Sequence, residues 1–90
     1  EMIHCVQLND GPLELPQGVS IKDDCYDRKF PGDGEFPNTE IISVLARSGG
    51  LNQVGPEVFS PMLAAMSAEE VADVSARSTR EALEKAGIAL

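Results

Sequence analysis

The amino-acid sequence predicts an α/β fold: two parallel strands, two helices and one long loop after the first strand. Three observations carry this expectation. Met2 to Asn9 is an almost unbroken apolar run, Met-Ile-His-Cys-Val-Gln-Leu-Asn, of the kind that suits a strand covered on both faces in a parallel sheet. Two later segments have helical periodicity with start and stop signals at their ends. The order strand, loop, helix, strand, helix then calls for parallel pairing through crossover connections. Two such strands cannot cover both of their faces or edges, so these 90 residues are expected to be a piece of a larger α/β unit. Opening on Glu1 rather than Met fits the same expectation.

The first strand spans 2–9 and is stopped by Asp10-Gly11-Pro12. The stretch 10–37 has no sustained periodicity and many Gly, Pro and Asp residues, and a loop of that length inside a compact domain is usually functional. The first helix, 38–49, takes Asn38 as N-cap and Glu40 in its first turn, carries Ile41, Ile42, Leu45 and Ala46 on one face, and stops at Gly49-Gly50. The second strand is expected over 54–59. Pro56 removes a ladder N–H there, so either the strand ends at Gly55 or a bulge re-aims Glu57. The second helix, 67–86, opens with the capping box Ser67-Ala-Glu-Glu70. Its acids (Glu69, Glu70, Asp73) lie early and its bases (Arg77, Arg80, Lys85) late, which suits the helix dipole. Val71, Val74, Ser75, Ser78 and Ala82 give it a small inner face, and Gly87 with Ile88 reads as a left-handed C-cap.

Composition removes several functions. A net charge of −8 with seven Lys and Arg and no basic run argues against nucleic-acid binding. No apolar stretch approaches the roughly 20 residues that cross a bilayer. Cys5 and Cys25 form no close-spaced metal motif and read as reduced thiols, which places the chain in the cytoplasm. Asp33-Gly34-Glu35 lacks the spacing of a calcium loop, and no phosphate-cradling Gly-rich loop or nucleophile elbow is present.

Strand parity sorts the polar candidates. Ile3, Cys5, Gln7 and Asn9 share one face, while His4, Val6 and Leu8 share the other, the natural one to meet helices. In the second strand Gly55, Glu57 and Phe59 lie opposite Val54, Pro56 and Val58. Gln7 and Glu57 are therefore companions near the C-terminal ends of parallel strands. Each has a plainer reading: Gln7 as an amide bonding loop backbone, Glu57 as a salt bridge to Arg28 or Lys29.

Gln7 to Asp10, the run Arg28-x-x-Pro31-Gly32-x-Gly34, the amphipathic helix, Gly49-Gly50 and the ending Glu57-Val58-Phe59 follow one another in an order that resembles the C-terminal part of the sugar phosphate isomerase/epimerase family, the xylose isomerase-like TIM barrels. The resemblance covers about Met2 to Ala86. It implies the C-terminal β/α units of a TIM (β/α)8 barrel, a fold of about 250 residues with its active site at the C-terminal ends of the strands. In that setting 10–37 is a substrate-covering loop, and Gln7 and Glu57 take the third and fourth metal-ligand positions, with His4 the substitute if Gln7 is not a ligand. The commoner ligand at the third position is His. Gln there tilts the analogy toward dehydroshikimate dehydratases. Arg28, Asn9 and Phe59 are the implied substrate-binding residues, against the alternative that Arg28 merely pairs with Asp24 or Asp27.

Oxygen ligands favour Mn²⁺ or Mg²⁺ over Co²⁺ or Zn²⁺. The implied activity is isomerisation or epimerisation of a small sugar or polyhydroxy carbonyl compound by proton abstraction next to the carbonyl. A dehydratase or lyase on the same fold is the alternative. The general base is not among these residues. Partners are then the substrate and the remainder of the barrel, a complementing subunit or a second copy of the chain. A reading of a different class is a non-catalytic module that binds a partner through its acidic surface.

Overall fold

Cys5–Leu8 forms β1 and Gln53–Pro56 forms β2, and the two pair in parallel with Cys5 opposite Gln53 and Leu8 opposite Pro56. The computed structural model describes residues 3, 5–49 and 51–88, which leaves His4 outside the described residues. Between the strands come a one-turn helix α1 (Ile21–Asp24) and the helix α2 (Asn38–Arg47). A 3₁₀ turn (Pro61–Ala65) and the long helix α3 (Ala68–Lys85) follow. The expected α/β architecture with a parallel strand pair is present.

The helices pack on one face of the sheet. Leu8, Ile42, Ala82 and Leu83 are buried together, with Val6, Leu51, Val54, Ala86 and Ile88 packed around them. This is the parity expected from the sequence: Val6 and Leu8 turn to the helices, while Cys5, Gln7 and Gln53 lie exposed on the opposite face. Ile42 is completely buried, whereas Ile41, assigned to the same apolar face, is 44% exposed. One residue is about 100° around a helix of 3.6 residues per turn, so the two cannot share one contact line.

The helix caps divide. Ser67 Oγ accepts from the Glu70 amide at 3.1 Å and Glu70 Oε1 accepts from the Ser67 amide at 3.0 Å, completing the capping box. Hydrogen bonding to the Ser67 amide first, and to the Ser67 hydroxyl second, holds the Glu70 carboxyl below its ordinary pKa. At the other end Gly87 adopts φ 79° and the Ile88 amide reaches the Leu83 carbonyl at 3.0 Å, a left-handed C-cap. Asn38, in contrast, is not the cap of α2. Pro37 holds that place, and Asn38 is the first helical residue, its side-chain Nδ2 donating to the Asn9 carbonyl at 2.9 Å.

β2 stops at Pro56, short of the expected Phe59, although the Glu57 amide still donates to the Leu8 carbonyl at 2.9 Å. Successive amides of a strand point to opposite edges, so the missing N–H of Pro56 belongs to the edge away from β1. No bulge is needed to seat it. The long loop is also less irregular than its sequence suggests. It contains α1 and returns to β1 through an antiparallel bridge between Asp10 and Lys29. Cys5 and Cys25 are free thiols. No helix among the described residues is long and apolar enough to cross a membrane.

Candidate functional site

The C-terminal ends of both strands are organised by Asp10, one residue pair beyond β1. Asp10 is 2% exposed. Its Oδ1 accepts from the amides of Gly11 and Phe36, and its Oδ2 from the amide of Gly32, each at 2.9 Å, with the Asn38 side chain at 3.5 Å. Its own backbone exchanges two 2.9 Å hydrogen bonds with Lys29. A carboxylate with this many donors is well compensated for its burial. The Pro-Gly-x-Gly segment is therefore wrapped around one acid, and a Cβ at Gly34 would sit 2.5 Å from Asp10 Oδ1 and from the Gly11 amide. Sequence reasoning took Asp10 as a strand stop and missed this role. The signal available was an acid directly before a glycine, with a second glycine-rich segment downstream rich in free amides.

Arg28 is held by the same framework. Its amide donates to the Phe59 carbonyl at 2.8 Å, which ties the long loop to the segment after β2. Its guanidinium pairs with Asp24 at 2.8 Å and lies 4.9 Å from the centre of the Phe36 ring. Asp24 is buried, and the Arg28 side chain is only 19% exposed. The alternative reading of Arg28, a pairing with Asp24, is thus present, but the pair is packed rather than loose in solvent. Gly11 lies directly beneath, where a Cβ would meet Arg28 Nη1 at 2.8 Å and the Phe36 ring at 2.9 Å. No Arg28–Glu57 ion pair occurs among the described residues.

By strand parity Gln7, Asn9 and Glu57 fall on the side opposite Val6 and Leu8, away from the helices. Gln7 is exposed and sits in register with Gly55, one strand step before the half-buried Glu57. Asn9 uses its Nδ2 on the Glu57 carbonyl at 3.3 Å, so it braces the strand end as well as facing the open side. Phe59 is 54% exposed and meets Tyr26 edge to face, the ring centres 6.2 Å apart. No group of three or more His, Cys, Asp or Glu side chains converges among the described residues. Gln7 and Glu57 are two oxygen-bearing side chains near the C-terminal ends of the paired strands.

Concavities lie on the helix side of the molecule. One, of about 290 Å³, lies between the Pro-Gly loop and the two long helices and is lined by Gly32, Thr39, Arg77, Glu81 and Lys85 among others. It holds none of Gln7, Asn9, Arg28, Glu57 or Phe59. Another lies between β2 and α3, past Val54, Pro56, Ala76 and Thr79. There the buried Thr79 Oγ1 has no hydrogen-bond partner among the described residues.

A comparison with protein-family models, with curated proteins and with solved structures returns no match to this chain.

Proposed function

We propose that this chain supplies the C-terminal β/α units of a TIM-barrel isomerase or epimerase that uses a divalent metal, and that its bare sheet face is the substrate face. One observation carries the reading. Two parallel strands have one face packed under helices and the other left open, and the open face presents Gln7 and Glu57 at its C-terminal end. Active sites of such barrels are built there. The buried Thr79 hydroxyl, without a partner among the described residues, and the groove between β2 and α3 support a further element packing there.

Gln7 and Glu57 would hold Mn²⁺ or Mg²⁺ together with acids from other strands. When bound, such an ion supplies positive charge that stabilises the enediolate oxygens formed by proton abstraction next to a carbonyl. Asp10 fixes the loop that carries Arg28, so the guanidinium meets substrate oxygens from a set position, which is what orientation requires. Asn9 braces the backbone of Glu57. Leu8 and Pro56, packed behind, keep the two strand ends in register.

The test is solvent deuterium exchange. The Mn²⁺-loaded protein is incubated in D₂O with a panel of small aldoses and ketoses. Deuterium entering the carbon next to the carbonyl, and lost in Glu57→Gln, supports isomerase or epimerase chemistry. Loss of water from the substrate instead points to the dehydratase branch. No reaction with any member of the panel, or equal exchange in Glu57→Gln, counts against the proposal.

A further inference from the structure

All four aromatic residues of the chain, Tyr26, Phe30, Phe36 and Phe59, lie in the long loop or just after β2. They do not share one role. Phe30 is buried and Phe36 is half-buried beside Arg28, but Tyr26 and Phe59 remain 60% and 54% exposed. These two make an edge-to-face pair on segments joined by the hydrogen bond from the Arg28 amide to the Phe59 carbonyl. The result is an exposed aromatic wall of two inclined rings near the strand ends, their planes at 62°.

The charges around that wall set what it can accept. Residues 10–37 carry seven acidic and three basic side chains, and Glu57 adds another acid at the same end. Of the three bases, Arg28 is already neutralised by Asp24. A phosphate or carboxylate ligand would enter a negative field with its best cation engaged. A neutral polyol fits better. Among the described residues the guanidinium makes one hydrogen bond, to Asp24, so its other N–H groups can donate to hydroxyls. A ring offers a flat C–H face to the aromatic wall, which an open-chain polyol does not.

Building on the proposed function, we infer that the ligand of this face is an uncharged, ring-form polyhydroxy compound, with Tyr26 and Phe59 as the residues that select the ring. Saturation-transfer-difference NMR on the purified protein with Mg²⁺ tests this, irradiating the aromatic protons. The probes are methyl α-glucopyranoside, locked as a ring, glucitol, its open-chain counterpart, and a hexose phosphate. The glycoside is expected to give the strongest transfer, about fivefold weaker in Tyr26→Ala and in Phe59→Ala and retained in Tyr26→Phe. Strongest transfer to the hexose phosphate, equal transfer to glucitol, unchanged alanine variants or no transfer to any probe each overturn the inference. Metal retention measured on the same samples separates the two readings. Retention that depends on Glu57 without ring selection ends this inference alone. Ring selection that depends on Tyr26 without metal retention ends the catalytic proposal alone.

Discussion

Two carboxylates near the strand ends, Asp10 and Glu57, have opposite surroundings. Asp10 is buried and accepts from three backbone amides and a side-chain amide, so its charge is consumed in holding the loop together. Glu57 is half-buried, its backbone is fixed by Leu8 and Asn9, and among the described residues its side chain has no ion-pair partner. The first acid builds structure and the second is left available. Chemistry needs both, because an available group is useful only if its neighbours are rigid. The same contrast separates the two sheet faces: one filled by Leu8, Ile42 and Leu83, the other showing Cys5, Gln7 and Gln53 to solvent.

Substitutions should therefore split by side. The largest loss is expected for Ile42→Ala, which opens a cavity at a fully buried aliphatic side chain, at a cost of about 4 kcal/mol in a urea melt. Asp10→Ala strands three backbone amides and should cost about 3 kcal/mol, with protease cutting appearing in 28–37 before the helices open. If Asp10→Ala were as stable as the wild type, the pinned-loop account would be wrong. Gly34→Ala forces a methyl group against Asp10 and the Gly11 backbone, and a loss of about 2 kcal/mol is expected. Gln7→Ala, on the bare face, should change stability by less than about 0.5 kcal/mol. A large loss there would mean that Gln7 is structural.

The smallest effect is acid sensitivity at α3. The Glu70 carboxyl has its folded-state pKa lowered by Ser67, so its contribution is present above the ordinary carboxylate pKa and fades as pH falls through the lowered value. Glu70→Gln keeps both capping bonds without the titration. Thermal melts of the wild type and this variant should converge at acid pH and separate slightly near neutrality, in favour of the wild type.

What the sequence revealed follows the range of the interactions. The capping box spans three residues and the Gly87 cap five, and both were legible because their partners sit inside one window. Strand parity was equally plain, since an alternating pattern fixes Val6 and Leu8 on one side and Gln7 on the other. Asp10 was not, because its acceptor role depends on Gly32 and Phe36, 22 and 26 residues away. The same distance misled the reading of Asn38, which suits an N-cap locally but is drawn to the Asn9 carbonyl, 29 residues back. Pro56 looked like a break in the strand. Whether it interrupts pairing depends on which edge its nitrogen faces, and only the register with Leu8 settles that. Tyr26 was passed over for a comparable reason: nothing within the loop indicates that Phe59 will stand beside it.

The central claim is that the bare face carries half of a metal site through Gln7 and Glu57. Metal content after Mn²⁺ loading and desalting tests it most directly, in the wild type, Glu57→Gln and Gln7→Ala. With the rest of the barrel present to complete the ligand set, the account predicts close to one equivalent in the wild type, little in Glu57→Gln and a clear reduction in Gln7→Ala. Equal metal in all three proteins, or none in any of them, would contradict it.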